Sequence, residues 1–141
     1  MEFFTIANGI SVHVWDTRDE GSADKPCLVL LHGYLETMYI FNELVDALKD
    51  SFRVITLDLP GHGLTDSAPA GADGQRVNSL AFQAQVVAGV LDKCGVAKAV
   101  IAGHSMGGYV TLRFLHDFPE RAERAILLHS HPYPDAPEKA T

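Results

Sequence analysis

Lys98-Ala99-Val100-Ile101-Ala102-Gly103-His104-Ser105-Met106-Gly107-Gly108-Tyr109 decides how the rest of the chain is read. A short apolar run rich in β-branched residues leads straight into Gly-His-Ser-Met-Gly, and a helix-compatible segment from Gly108 to Asp117 follows without a linker. The order strand, sharp turn, helix places a serine at the apex. Glycine two residues to either side has a steric reason, because bulk there would collide with the neighbouring strand and helix. A strained serine backbone lifts Oγ clear of the sheet, and the first turn of the helix offers it free N–H groups and the positive dipole end. A packing device or a phosphate-cradling turn is the competing reading. The spacing matches neither Gly-x-Gly-x-x-Gly nor Gly-x-x-x-x-Gly-Lys-Ser/Thr, so the nucleophile reading leads.

Length and composition bound the rest. A chain of 141 residues is long enough for one domain with a real core. At 47% hydrophobic and 21% charged it is ordinary globular material. Eleven Lys+Arg against 18 Asp+Glu give a formal net charge of −7 with no basic run, which argues against nucleic acid or an anionic membrane as a partner. No stretch approaches the ~20 apolar residues that span a bilayer. Met1-Glu2-Phe3-Phe4 lacks the basic and long apolar regions of a signal peptide. Cys27 and Cys94, without Cys-x-x-Cys spacing, read as buried free thiols, and a cytoplasmic location is expected.

Taken in order, Phe3–Ile6 and Val12–Trp15 flank the turn dipeptide Asn8-Gly9, a β-hairpin. Cys27–Leu31 is a continuous apolar run that suits a strand covered on both faces. Phe41, Leu44, Val45 and Leu48 fall at i, i+3, i+4, i+7, which predicts an amphipathic helix. Val54–Leu57 is the next strand. A helix capped at Asn78 or Ser79 carries Val86, Val87, Val90, Leu91 and Cys94 on one face and stops at Gly95. After Ser105 the helix ends before Pro119, and Ala125–Leu128 is a further strand. Pro132, Pro134 and Pro137 exclude a helix interior or central strand beyond it. Alternating strands and helices imply a three-layer α/β/α sandwich, mostly parallel, with the N-terminal hairpin added. In such a sheet the functional edge lies at the carboxyl ends of the strands, where His32, Asp58 and Ser105 all fall.

An ordered set of motifs resembles the α/β-hydrolase superfamily, in its cap-bearing, serine esterase-like branch. The set is Leu30-Leu31-His32-Gly33-Tyr34, Asp58-Leu59-Pro60-Gly61-His62-Gly63-Leu64-Thr65-Asp66-Ser67, Gly103-His104-Ser105-Met106-Gly107-Gly108 and Phe118-Pro119-Glu120-Arg121. The resemblance implies that Ser105 is the acyl-forming nucleophile and that the backbone N–H groups of Met106 and Tyr34 form the oxyanion hole. Leu35, beside Tyr34, is expected to bind substrate, a small molecule. His32 and His62 are expected to structure loops, and His104 to pack beneath the serine. Asp58 and Asp66 bracket a turn and suit loop N–H groups, while Asp58 also suits the floor of the site. No histidine pair has metal-ligand spacing, so no metal is expected; the resemblance implies no cofactor.

The resemblance also implies the order Ser, then Asp or Glu, then His. A returning helix carries Asp117 ~18 Å from Ser105, so Asp117, Glu120, Glu123 and His116 fall at the wrong end of the sheet. His129 and His131 lie at the correct edge, and Asp135 follows the last strand, where some members place the acid. The expectation is that residues 1–141 form the N-terminal part of a single hydrolase domain, with the cap, acid and base beyond it. Such a piece is expected to be inactive alone, with the last strand an unpaired edge. Dehalogenase and epoxide-hydrolase chemistry is disfavoured, since those relatives carry aspartate at the position of Ser105. A non-catalytic binding protein or a truncated product on the same scaffold is the alternative.

Overall fold

The computed structural model describes residues 1–74 and 78–128. Asn8 and Gly9, with φ of 51° and 83°, turn the backbone between β1 (Glu2–Ala7) and β2 (Ile10–Asp16), which pair antiparallel. Positive φ at both central residues matches the twist of the flanking strands, and Asn and Gly tolerate it best. β2 pairs antiparallel with β4 (Arg53–Leu57). The rest is parallel: β3 (Cys27–Leu31) beside β4, β5 (Ala99–His104) beside β3, and β6 (Ala122–Leu128) beside β5. The order across the sheet is β1-β2-β4-β3-β5-β6. Among the described residues β6 is an edge strand, with Ile126 exposed.

Period-two alternation divides the central strands between two cores. Val29, Leu31, Ile55, Leu57, Ala99 and Ile101 join α2 (Leu80–Lys93) and α3 (Met106–Asp117) through Val86, Val87, Val90, Leu91, Val110 and Phe114. Leu28, Leu30, Val54 and Ala102 join Phe41 and Val45 at α1 (Asn42–Leu48). Among the described residues, two helices on one face and one on the other make the expected three layers. The continuous apolar runs are what such doubly covered strands require.

Local signals set the element ends. Ser79 Oγ accepts the Phe82 N–H at 3.0 Å and starts α2, while Gly95 at φ 71° follows its end. The pattern assigned to α1 is realised only in part. Phe41 belongs to a 3-10 turn over Met38–Phe41; it and Val45 are buried, but Leu44 is exposed and Leu48 only half-buried. A 3-10 turn advances about 120° per residue against about 100° in an α-helix, so the phase carried by Phe41 slips before Leu44.

A buried ion pair closes the end of the sheet remote from Ser105. Arg53 Nε and Nη2 donate to Asp16 Oδ1 and Oδ2 at 3.0 and 2.6 Å, and Nη2 also reaches the Cys94 carbonyl at 2.8 Å. Burial pushes the Asp16 carboxyl up, but hydrogen bonds from Arg53 and the Arg18 N–H, with both positive charges, outweigh it and hold the group below its usual range. A depressed folded-state pKa stabilises above the unfolded value of about 4 and loses that contribution as pH falls through the folded value. Arg53→Ala strands the buried carboxylate and is expected to cost about 3–5 kcal/mol at neutral pH, and less in acid. Urea denaturation at pH 7 and at pH 3 measures both; an equal loss at the two pH values contradicts the coupling.

Candidate active site

β3, β4 and β5 run parallel, so their carboxyl ends bring His32, Asp58 and Ser105 to one edge. Ser105 sits between β5 and α3 at φ 55° and ψ −117°, a conformation that costs a non-glycine residue about 1–3 kcal/mol. Its carbonyl accepts the Gly108 N–H at 2.8 Å, anchoring the turn to the helix. The flanking glycines are fixed by backbone contacts. A Cβ on Gly103 would lie 2.0 Å from the Gly107 carbonyl oxygen, and one on Gly107 would lie 2.2 Å from that of Leu31. The helix therefore rests directly on strand β3. Met106 supplies the first N–H of α3, and such N–H groups have no intrahelical acceptor.

The loop after β3 is held from three sides. His32 is fully buried; its Nδ1–H donates to the Gly33 carbonyl at 2.7 Å and its Nε2 accepts the Leu59 N–H at 2.9 Å. Those partners require the neutral ring, and burial lowers its pKa in the same direction, only partly opposed by the bond to Gly33. His32 is thus a tie between two loops, with neither nitrogen left for proton transfer. The Gly33 N–H is taken by Glu36 Oε1 at 2.6 Å. The next N–H along the loop is that of Tyr34. Tyr34 and Leu35 are both strongly exposed, and Leu35 stands at φ 60°. The Tyr34 ring meets His62 edge-on at 5.9 Å, and His62 in turn lies 5.0 Å from His32.

Asp58 is buried, and its oxygens are occupied. Oδ1 accepts the Met38 N–H at 2.9 Å; Oδ2 accepts the Leu64 N–H at 3.1 Å and faces His13 Nδ1 at 2.8 Å. Of the two readings open for it, loop support is the one these contacts describe. Asp66 likewise accepts the Ser11 N–H at 2.9 Å. His13, on β2, meets a second carboxylate, Glu2 Oε1, at 3.0 Å. Nothing in an alternating strand singled it out.

Two residues depart from the sequence reading. His104 does not pack beneath the serine: its side chain is about one-third exposed, and Nδ1 lies 3.0 Å from Glu36 Oε1. Glu36 was not anticipated. The available signal was a single charged residue in an otherwise apolar loop, three positions beyond Gly33. His129, His131 and Asp135 lie outside the described residues. Among the described residues no three His, Cys, Asp or Glu side chains converge to hold a metal, and no helix is long and apolar enough to cross a membrane.

Comparison with known proteins places this geometry. The alpha/beta hydrolase fold family matches residues 26–141, and the chain belongs to that family. YugF of Bacillus subtilis, named an uncharacterized hydrolase, is 31% identical over 132 residues, 92% of this chain and 44% of its own length. Epoxide hydrolase 4 of Mus musculus is 32% identical over 114 residues, 81% of this chain and 30% of its own. The enol-lactonase from Burkholderia xenovorans LB400 superposes with a TM-score of 0.82 at 27% identity, covering 96% of this chain and 50% of that structure. The chain therefore spans half or less of the length of these relatives.

Proposed function

We propose that residues 1–141 are the N-terminal part of a single hydrolase domain that cleaves an ester-like bond of a small molecule through an acyl-enzyme on Ser105. The observation that carries this reading is the strained Ser105 turn at the start of α3, with the His32–Leu35 loop against it. A Cβ on Gly33 would lie 3.1 Å from Ser105 Cβ. Ser105 Oγ attacks the carbonyl carbon and passes its proton to a histidine base. The N–H groups of Tyr34 and Met106 hold the oxyanion, two preorganised donors of which each contributes about 2.7–4 kcal/mol. Collapse expels the leaving group with the proton, and water then cleaves the acyl-serine by the same route. The side chains of Tyr34 and Leu35, exposed at this edge, meet substrate. On this reading the base and its acid belong to the part of the domain beyond residue 141.

Chemistry favours acyl transfer over epoxide opening at this centre. A carboxylate that opens an epoxide forms an ester, which water can cleave, whereas a serine hydroxyl would form an ether and stop. Burial pushes the Cys27 and Cys94 thiols up to about 12 and about 11, so both stay as unreactive thiols. That pairing of free thiols suits a cytoplasmic location. A fluorophosphonate probe, applied to the protein at its full native length, is expected to modify Ser105 alone, read by peptide mass spectrometry. Modification of another serine, or of none, overturns the assignment.

A further inference from the structure

The Glu36 carboxylate occupies an unexpected position for a site that must stabilise negative charge. Its Oε1 accepts the Gly33 N–H at 2.6 Å and faces His104 Nδ1 at 3.0 Å, while the Glu36 N–H donates to the Gly33 carbonyl at 3.2 Å. Glu36 therefore grips Gly33 through both its N–H and its carbonyl. The space where Gly33 lacks a side chain is bounded by Glu36 Oε1 at 2.5 Å, Ser105 Cβ at 3.1 Å and the His104 carbonyl at 3.3 Å. One oxygen thus joins the loop after β3 to the last residue of β5, the residue before the serine. Both side chains are less than one-third exposed, so water screens the pair only in part.

Two consequences follow from elementary electrostatics. The bond to Gly33 fixes the peptide that precedes the Tyr34 N–H, and so fixes where that donor stands relative to Ser105. A bare carboxylate one residue from that donor also opposes an oxyanion held by it, because like charges at short range raise each other's energy. The His104 Nδ1–H donating to the same oxygen draws off part of that charge.

We propose that Glu36 is a positioning residue for acyl transfer and that His104 is its charge partner. Glu36 holds the Gly33–Tyr34 peptide in register with Ser105, and His104 cancels the carboxylate's effect on the oxyanion. This rests on the serine-hydrolase reading of Ser105 and deepens it.

The test compares Glu36→Ala, Glu36→Gln, His104→Asn and the Glu36→Gln/His104→Asn double variant in the protein at its full native length. The readouts are the rate of fluorophosphonate labelling at Ser105, kcat and KM for p-nitrophenyl acetate between pH 5 and 9, and the Gly33 amide proton shift. Glu36→Ala is expected to slow labelling and kcat by roughly 10- to 100-fold, with KM changed by less than about threefold. Its Gly33 amide proton moves upfield as the charge-assisted hydrogen bond is lost. Glu36→Gln recovers most of the rate, since its amide oxygen still accepts the Gly33 N–H. His104→Asn slows the reaction by about tenfold, and the double variant returns towards Glu36→Gln, because the charge His104 offsets is gone. A folded Glu36→Ala protein that labels as fast as wild type overturns the proposal, as does a double variant as slow as the product of its singles. Failure of the wild-type protein to label at Ser105 brings down the serine-hydrolase reading instead, and this proposal with it.

Discussion

Ser105→Ala is expected to lower kcat by about 10⁶-fold on any ester that the full-length protein hydrolyses, the loss that follows removal of a triad nucleophile. Among the described residues, His32 and Asp58 share this edge but do not replace it, because both are already committed to loop N–H and carbonyl groups. Stability separates the chemical role from the conformational one. At φ 55° and ψ −117° a Cβ is strained whether it carries a hydroxyl or not, so Ser105→Ala keeps the strain. Ser105→Gly removes it. Relief of about 1–3 kcal/mol, less about 0.4–1 for the freedom glycine restores to the unfolded chain, leaves the glycine variant more stable than the alanine variant by roughly 1 kcal/mol. Urea denaturation of the two inactive proteins measures the difference. A glycine variant no more stable than the alanine variant shows an unstrained turn, and surviving turnover in Ser105→Ala moves the nucleophile elsewhere.

The elbow was legible in the sequence because each of its constraints is local. Gly103 and Gly107 are small for reasons of contact within a few residues and with one neighbouring strand, and the strand before them has a pattern of its own. The double-sided core was legible for a similar reason: Cys27–Leu31 is apolar without a break and Val54–Leu57 is broken only by Thr56, the pattern that doubly covered strands carry. What stayed hidden depends on pairs far apart in the sequence. Glu36 and His104 are separated by 68 positions, and His13 and Asp58 by 45. No periodicity links such partners, and adjacency to Ser105 does not disclose the tie of His104 to the loop after β3. The slip at α1 has another cause, since a 3-10 turn shares its apolar spacing with the start of an α-helix until the phase is followed further. Asp58 falls between these cases. Its place after a strand marked it as useful, but only its occupied oxygens separate loop support from a place on the floor of the site.

Gly107→Ala is expected to damage the fold and the site together, although it adds a single methyl group. That methyl would sit 2.2 Å from the Leu31 carbonyl oxygen, 2.6 Å from that of His32 and 2.7 Å from the Leu31 carbonyl carbon. All three are backbone atoms of β3 and its exit, and β3 is hydrogen-bonded to β4 on one side and β5 on the other. The strand cannot step aside without breaking ladders on both flanks, so α3 must retreat by about 1 Å to restore ordinary contact. Retreat lifts Val110 and Phe114, both fully buried, away from the sheet face they cover. Overpacking usually costs about 1–3 kcal/mol, and a clash against an immobile backbone belongs at or above the top of that range. Against a typical total of about 5–15 kcal/mol, a loss of about 3 kcal/mol or more leaves little margin. Whatever remains folded carries Ser105 on a displaced helix start, and a shift near 1 Å from the oxyanion donors costs about 10²-fold in kcat. Thermal and urea denaturation, with labelling of Ser105 by a fluorophosphonate in the folded fraction, read the two losses separately. A Gly107→Ala protein within about 1 kcal/mol of wild type would mean that α3 slides freely over β3 and that the close approach at Gly107 does not fix the serine.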